Sequence, residues 1–400
     1  MPLLTSLLVL IVVARLFGQI FQRMNQPSIV GEMVAGILLG PSLLNLIHAN
    51  DALSGIAELA VFLVVLSAGL EMNFKDVVDT LRGRGLVIAV LGFVIPLAGG
   101  ILVGAAFHLD VMRTVFLGLC VSITALPVTV RILQSFNLLD SDIARYSVAT
   151  AIFNDILALL ALGVVLNLPL QRSFGDIAVS IAITSWKLIL LGGFIIAFNW
   201  VLHKLIERGV RIEKMSEKLV ELVGNEALFG ILMLFVLVFG SVSEALGFHF
   251  VIGAFFGALL IDRQFFLASR YDELDLTLRS VTEGFLAPVF FAYLGLEFNI
   301  AVLKPFSFVA VLLAVSFGTK IVAAWLGGRL IGLSQVRSFG IGIILNGRGV
   351  MELVIASIAY ERGFIGQGLF STLVLMGVAT TMSTPLMFRK LILPRLETRQ

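Results

Sequence analysis

An aspartate in the middle of a membrane-length apolar stretch is the first residue that suggests chemistry. Asp155 lies in SVATAIFNDILALLALGVVL, residues 147–166, beside the polar Asn154 and among mostly aliphatic or small residues. A charge at the centre of a bilayer costs about 2.5–3.5 kcal/mol on insertion scales, so such a carboxylate is usually functional or neutralised. Two interpretations follow: a proton- and cation-carrying carboxylate of a transporter, or a hydrogen bond between helices of a bundle.

Four further polar residues lie inside apolar stretches. Lys320 is the ammonium within residues 308–330, and it either serves transport or forms a structural pair with Asp155. Arg348 and Glu352 are one helical turn apart and are expected to compensate each other's charge. Thr124 has a hydroxyl and a carbonyl to offer an ion, although a threonine in a membrane helix often bonds its own backbone.

The composition indicates an all-α polytopic membrane protein. Of 400 residues, 59% are hydrophobic and 14% charged, and the mean hydropathy is +1.05. A single cysteine, Cys120, rules out an intramolecular disulfide and a cysteine-based metal cluster, and the four histidines show no ligand spacing. We therefore predict no cofactor and no nucleic-acid partner, and we expect the lipid bilayer as the environment.

About thirteen stretches are long enough to cross a membrane. Loops after odd-numbered stretches, with the C-terminal tail, hold 20 of the 28 Lys and Arg residues, whereas loops after even-numbered stretches hold four. Because basic residues accumulate on the cytoplasmic side, this asymmetry predicts an outside N-terminus and a cytoplasmic C-terminus. The stretches are 3–21, 28–45, 53–72, 84–107, 112–134, 146–167, 178–202, 225–245, 247–263, 281–302, 306–331, 336–360 and 366–389.

The chain also repeats itself, with an offset near 222 residues. The two units begin at the first and eighth stretches, seven crossings apart, so they enter the membrane from opposite sides. This predicts an inverted repeat of six plus six helices, with 178–202 as the linker. The matches pair IVGEMVAGILL (29–39) with VIGAFFGALLI (251–261), SAGLEMNF (67–74) with YLGLEFNI (293–300), and TALP (124–127) with NGRG (346–349).

The third match predicts two interrupted helices at symmetry-related places. Pro127 removes a backbone donor, and Gly347 and Gly349 weaken the helix on either side of Arg348. Unwound carbonyls and helix ends suit a cation, although ordinary kinks are the alternative. The predicted unwound residues are Thr124, Ala125, Leu126 and Pro127 in one helix and Asn346, Gly347 and Gly349 in the other.

The two central charges have no copy in the other repeat. The offset of 222 residues maps Asp155 onto Gly377, and it maps Lys320 onto Ala98. Neither charge is therefore required by the architecture, which favours a functional asymmetry over a structural one.

Taken together, these segments resemble the monovalent cation/proton antiporter superfamily, especially bacterial sodium/proton exchangers and potassium efflux systems. The resemblance implies two crossing broken helices in a six-helix core, 84–167 and 306–389, beside a dimeric scaffold, 1–72 and 178–302, within one transport domain, 1–400. The motifs that carry it are PSIVGEMVAGILLGPSLL, FLVVLSAGLEMN, SITALPVTVRIL, AIFNDI, LGFHFVIGAFFGALL, PVFFAYLGLEFN and NGRGVMELVI.

The resemblance also implies roles for particular residues. The ion-carrying aspartate maps onto Asp155 and the core lysine onto Lys320. Electrogenic members carry a paired Asp-Asp where this chain has Asn154 and Asp155, and electroneutral Asn-Asp members usually carry Arg where it has Lys320. Only about eleven residues follow the last predicted span, so gating by a C-terminal nucleotide-binding domain is not expected.

The predicted function is therefore transport rather than enzymatic conversion. We expect a homodimeric secondary transporter of a bacterial inner membrane, which exchanges Na⁺ or K⁺ for protons by an elevator-like movement and serves pH homeostasis. Asp155, Asn154 and Thr124 are its predicted ion- and proton-binding residues, and Lys320, Arg348 and Glu352 compensate charge. A sodium-coupled organic anion symporter, a channel and a non-transporting membrane sensor are the alternatives.

Overall fold

The chain is helical throughout the residues that the structure describes. A computed structural model describes residues 2–24, 26–70, 83–139, 141–167, 174–208, 226–261 and 268–397, and no strand occurs among them. This confirms the predicted all-α class. One of the three repeat matches, 67–74 with 293–300, falls partly outside these residues, since 71–82 are not among them.

The helices of the first predicted repeat and the linker come first along the chain. They are α1 (Leu3–Arg23), α2 (Ser28–Leu39), α3 (Asp51–Leu70), α4 (Gly85–Ala106), α5 (Val111–Ser122), α6 (Leu126–Ser135), α7 (Asp142–Leu166) and α8 (Phe174–Glu207).

The second predicted repeat follows the linker. Its helices are α9 (Glu226–Ala245), α10 (Phe250–Leu259), α11 (Ala268–Val281), a π-helical turn (Thr282–Leu286), α12 (Ala287–Glu297), a 3₁₀ turn (Ile300–Val302), α13 (Phe306–Leu330), α14 (Gln335–Ile344), α15 (Val350–Glu361), α16 (Gln367–Leu391) and α17 (Leu393–Glu397).

Eight of the described helices are long and apolar enough to cross a membrane, judged by length and composition. They are α1, α3, α4, α7, α8, α9, α13 and α16, and α2, α5 and α10 are shorter apolar helices. The protein is thus a polytopic integral membrane protein. The predicted count of thirteen spans stays a prediction.

The repeat is visible in the order and length of the helices. Adding 222 to the bounds of α4 gives 307–328, which is close to α13. The same shift carries α5 and α6 onto α14 and α15, and α7 onto α16. Each repeat therefore contains a long helix, two half-helices and a second long helix.

The half-helices are separated by two short non-helical segments. The first break is Ile123–Ala125, in which Ile123 and Ala125 have extended backbone, and the second is Leu345–Gly349. Leu126 and Pro127 were predicted to be unwound, and this is wrong: they form the first turn of α6. Proline fits there because the first N–H groups of a helix have no partner within the helix.

The segments fall into two units of dense internal contact. One comprises Met1–Glu58, Val77–Ala158 and Pro288–Gln400, and the other comprises Leu59–Asp76 and Leu159–Ala287. Both breaks, and every site residue discussed below, belong to the first of these. The division into core and scaffold helices stays a prediction.

Glycines allow α4 to pack closely against its two neighbours. A Cβ on Gly100 would lie 2.6 Å from the Cα of Gly118 in α5, and a Cβ on Gly99 would lie 2.7 Å from the side chain of Thr319 in α13. Real Cβ atoms do not approach so closely, so larger residues here would push the helices apart. This packing brings the backbone of α4 within reach of Lys320.

Candidate functional site

The two breaks cross and hydrogen-bond to each other. The Thr124 hydroxyl donates to the carbonyl of Leu345 over 3.0 Å, and the Ala125 N–H donates to the carbonyl of Gly347 over 3.0 Å. Unpaired backbone groups are costly in a membrane, so non-helical chain is tolerated there only where it is buried in protein. The crossing brings together the ends of four half-helices.

Lys320 binds at the C-terminal end of α5. Its Nζ donates to the Ser122 carbonyl over 2.5 Å, to the Thr124 hydroxyl over 2.7 Å and to the Gly92 carbonyl of α4 over 3.1 Å. These three bonds use all three donors of an ammonium group. Within the described ranges no ion pair joins Lys320 to Asp155, so the structural pair considered from the sequence is not formed.

Arg348 binds the same helix end from the second break. Its guanidinium donates to the carbonyls of Cys120 and Val121, the latter over 2.8 Å, and to the Ser316 hydroxyl over 2.6 Å. The backbone at Arg348 is held by Thr381 of α16, whose hydroxyl accepts from the Arg348 N–H and donates to the Arg348 carbonyl.

The negative end of α5 is therefore fully occupied by donors of the protein. The last four carbonyls of a helix have no partner within it and carry the negative end of the helix dipole. The carbonyls of residues 119–122 accept hydrogen bonds from the Ser122 hydroxyl, from Arg348 twice and from Lys320. Two buried cations thus neutralise this end, and their charge disfavours a transported cation at its carbonyls in this conformation.

Thr124 is likewise committed to the crossing. Its hydroxyl donates to Leu345 and accepts from Lys320, and the Asn154 amide approaches it at 3.5 Å. A hydroxyl has one donor and two acceptor sites, so these contacts use them all. In this conformation Thr124 positions the two breaks rather than offering an oxygen to an ion.

Asp155 and Asn154, by contrast, each have a buried oxygen without a hydrogen-bond partner in the described residues. Asp155 lies in α7 with 1% of its surface exposed, and its Oδ1 has no hydrogen-bond partner in the described structure. The Asn154 amide donates over 3.5 Å to Ser122 and Thr124, which leaves its buried Oδ1 without a partner as well. Burying such acceptors costs free energy unless a donor or a cation meets them. This carboxylate and amide thus offer oxygens of two neighbouring residues to a cation.

Glu352 presents a second buried carboxylate in the first turn of α15. Its Oε2 lies 3.5 Å from the Arg348 guanidinium, and neither of its oxygens accepts a hydrogen bond within the described part of the chain. The predicted charge pair of Arg348 and Glu352 is therefore present, but as a longer contact than the bonds that Arg348 makes to α5.

Several groups of this site carried no sequence signal. The carbonyls of Gly92, Cys120, Val121 and Ser122 are backbone atoms, which no residue type announces. The Ser316 hydroxyl and the Thr381 hydroxyl are common in membrane helices, so their types alone did not single them out. Thr129, Ser147 and Thr150 are further buried hydroxyls without a hydrogen-bond partner in the described residues.

Comparison with known proteins agrees with this architecture. The family described as sodium/hydrogen exchanger, transmembrane, matches residues 7–392. The chain is 25% identical over 386 residues to a probable Na⁺/H⁺ antiporter, GerT, of Bacillus cereus, covering 96% of this chain and 98% of GerT. It is 26% identical over 377 residues to the Na⁺/H⁺-K⁺ antiporter GerN of the same organism, covering 94% and 92%.

A solved structure shares the fold. The sodium proton antiporter MjNhaP1 from Methanocaldococcus jannaschii superposes with a TM-score of 0.71 at 17% identity, over 97% of each chain. The resemblance in the motifs to monovalent cation/proton antiporters is confirmed. This chain belongs to the transmembrane sodium/hydrogen exchanger family.

Proposed function

We propose that this protein exchanges a monovalent cation, Na⁺ or K⁺, for protons across the membrane, with Asp155 as the group that binds either one. The family and the named activities of the two Bacillus cereus relatives support cation/proton exchange. The observation that carries the proposal is the buried Asp155 carboxylate, whose Oδ1 has no hydrogen-bond partner in the described structure and which lies beside the two breaks.

The proposed chemistry is competition for one carboxylate. A proton and a cation each remove the cost of a buried negative charge, and Asp155 accommodates one of them at a time. Asn154 supplies a neutral oxygen beside it and cannot take up a second proton. Thr124 acts by positioning the breaks.

The net charge that moves with the proton and with the cation depends on the protonation state of Lys320. Its three hydrogen bonds match the three donors of an ammonium group, which supports a positive charge at the end of α5. With Lys320 charged throughout, protonated Asp155 and cation-bound Asp155 have equal charge. Exchange at this carboxylate alone is then one proton for one cation.

The proposal includes the larger movement and the setting. The core, 84–167 and 306–389, moves against the scaffold, 1–72 and 178–302, and exposes Asp155 to each side in turn. The protein is a homodimer in a bacterial inner membrane, with the N-terminus outside and the C-terminus in the cytoplasm. It transports its substrates without converting them chemically.

The organic anion symporter considered from the sequence finds less support. Recognition of an anionic substrate needs cationic or N–H donors that are free to meet it. In the described site, Lys320 gives its three donors, and Arg348 its terminal nitrogens, to carbonyls and hydroxyls of the protein. Apart from the buried Nε of Arg348, the groups without a partner in the described site are oxygen atoms, which suit a cation.

Asp155→Asn tests the proposal. We expect this variant, purified and reconstituted in proteoliposomes, to lose cation-dependent proton movement with Na⁺, Li⁺, K⁺ and Rb⁺ added in turn, because an amide neither takes up a proton nor carries a charge for the cation. The wild-type response to the four ions gives the selectivity.

A matched control lies on the same helix. Asp142 begins α7, is exposed, and pairs with Arg337 over 2.7 Å. Asp142→Asn removes an equal charge outside the site and should retain exchange. Retained exchange in Asp155→Asn would refute the assignment, and a wild-type protein without any ion-driven proton movement would favour a sensor.

A further inference from the structure

The second carboxylate of the core, Glu352, is as buried as Asp155 but has different surroundings. Its side chain has 0% exposure, and neither Oε1 nor Oε2 accepts a hydrogen bond within the described residues. An ionised carboxylate normally accepts several hydrogen bonds when it is buried. Glu352 has only the Arg348 guanidinium at 3.5 Å.

Arg348 does not supply the missing hydrogen bonds: its terminal nitrogens bind Cys120, Val121 and Ser316, and its Nε has no hydrogen-bond partner within the described residues. Charge-assisted N–H···O bonds measure about 2.7–2.9 Å. The contacts of Arg348 with Val121 and Ser316, at 2.8 and 2.6 Å, are this short or shorter, whereas its approach to Glu352, at 3.5 Å, is longer. Arg348 therefore compensates the charge of Glu352 from a distance while it caps α5.

The internal repeat explains the space that Glu352 occupies. The position equivalent to Asp155 in the second repeat is Gly377 of α16. A Cβ on Gly377 would lie 3.9 and 4.0 Å from the two oxygens of Glu352, in ordinary contact. The carboxylate thus sits where α16 has no side chain, and a half-helix rather than a long helix supplies it. The equivalent of Glu352 in the first repeat is Val130.

We propose that Glu352 is a second proton-binding group of the core, the counterpart of Asp155 in the other repeat, and that it exchanges protons during transport but binds no cation. The proposal rests on the proposed function of Asp155. The guanidinium at 3.5 Å repels a cation from Glu352, whereas Asp155 has no ion pair in the described structure. Proton binding needs no other reactant: one carboxylate oxygen gains or releases H⁺.

The charges around Glu352 suggest how its protonation state affects cation binding at Asp155. The titratable and charged groups that face it are Arg348 from its own break, Cys120 from α5 and Lys320 from α13, and α16 contributes Gly377. An ionised Glu352 offsets the positive charge of Arg348 and so favours a cation at Asp155. A protonated Glu352 leaves two uncompensated positive charges at the end of α5, which disfavours that cation.

Infrared difference spectroscopy between acidic and alkaline pH tests proton binding directly. We expect a carbonyl stretching band of a buried protonated carboxyl group that disappears in Glu352→Gln and remains in Asp155→Asn. Glu361 lies on the same helix and accepts a hydrogen bond from Ser357 over 2.8 Å. Glu361→Gln is therefore the matched control, and it should leave the Glu352 band in place.

The pH profile of exchange tests the coupling. If two protons leave before the cation binds, the rate rises about a hundredfold per pH unit on the acidic limb, and with one proton it rises about tenfold. We expect Glu352→Gln to keep exchange, to bind the cation more weakly, and to lose the steeper dependence. An unchanged profile and no band assignable to Glu352 would overturn the proposal.

A variant that keeps the carboxylate covers the case in which Glu352→Gln does not fold. In Glu352→Asp the band should shift in frequency, and a band that stays unchanged would show that it belongs to another group. Failure of this proposal is distinct from failure of the proposed function. Asp155→Asn decides the latter by transport, whereas the infrared band of Glu352 is read without transport.

Discussion

The C-terminal ends of α5 and α14 occupy equivalent places in the two repeats but are completed by different means. After α14 the chain turns tightly, and the backbone N–H groups of Asn346 and Gly347 return to Ile343 and Ile344. The Asn346 side chain caps Gly342 over 2.8 Å. After α5 the chain is extended, so its carbonyls are met by Lys320 and Arg348 instead.

The buried cations lie where the local backbone leaves the carbonyls of a helix end without N–H partners. An extended break gives a helix end no N–H group of its own, and a buried cation then stabilises both the carbonyls and the negative end of the dipole. A tight turn satisfies its own end with neutral donors. The asymmetry of Lys320 and Arg348 thus has a structural cause. The positive charges of these two residues also offset the cost of burying the carboxylates of Asp155 and Glu352 nearby.

Removing Arg348 should lower the stability of the protein most. Arg348→Met leaves the carbonyls of Cys120 and Val121 without donors and Glu352 without a counter-charge, and breaking a buried pair in this way costs about 3–5 kcal/mol. We expect a marked fall in the thermal unfolding temperature of the protein in lipid nanodiscs. The double variant Arg348→Met with Glu352→Gln should recover part of the loss, since no charge is then left alone. Equal stability of the single and double variants would contradict the charge pairing.

Removing Lys320 should have the next largest effect. Lys320→Met leaves the carbonyls of Ser122 and Gly92 without this donor, at about 1–3 kcal/mol for each buried group that stays unsatisfied. The same unfolding measurement checks it. Lys390→Met changes an exposed lysine in the last turn of α16 and should be close to neutral. If the two variants unfold alike, Lys320 does not hold the end of α5.

The smallest effect is expected at the end of α14. Asn346→Ala removes the single side-chain bond to Gly342, which contributes about 0.5–1.5 kcal/mol, while the backbone turn stays in place. The variant should unfold slightly below wild type and well above Lys320→Met. A loss of stability as large as that of Arg348→Met would contradict this, because the two helix ends would then depend equally on side chains.

The sequence predicted the parts of this site that depend on residue type and spacing. Pro127 and the glycines around Arg348 located the breaks to within a few residues, and the offset of 222 residues paired them. Asp155 and Lys320 stood out because charges are costly in apolar stretches. The error at Leu126 and Pro127 arose because a proline interrupts the helix before it and begins the next one.

The sequence did not predict that Lys320 and Arg348 bind the carbonyls at the end of α5. Opposite charges made a pair of Lys320 and Asp155 one of two alternatives, yet an ammonium in a membrane is satisfied equally by carbonyls at a helix end. Which partner it meets depends on the approach of α4, α5 and α13, and this approach depends on glycine contacts such as that between Gly100 and Gly118. Such distances are properties of the packed structure and leave no mark in a single sequence.

The hydrogen bonds between the two breaks resist relative movement of the two repeats. Rocking α4–α7 against α13–α16 would separate Ala125 from Gly347 and Thr124 from Leu345, and it would withdraw Lys320 and Arg348 from α5. Each buried group left unpaired adds about 1–3 kcal/mol to the barrier. These hydrogen bonds therefore hold the two repeats together at their centre. Under the proposed exchange mechanism, a movement that keeps these hydrogen bonds intact costs less than one that breaks them.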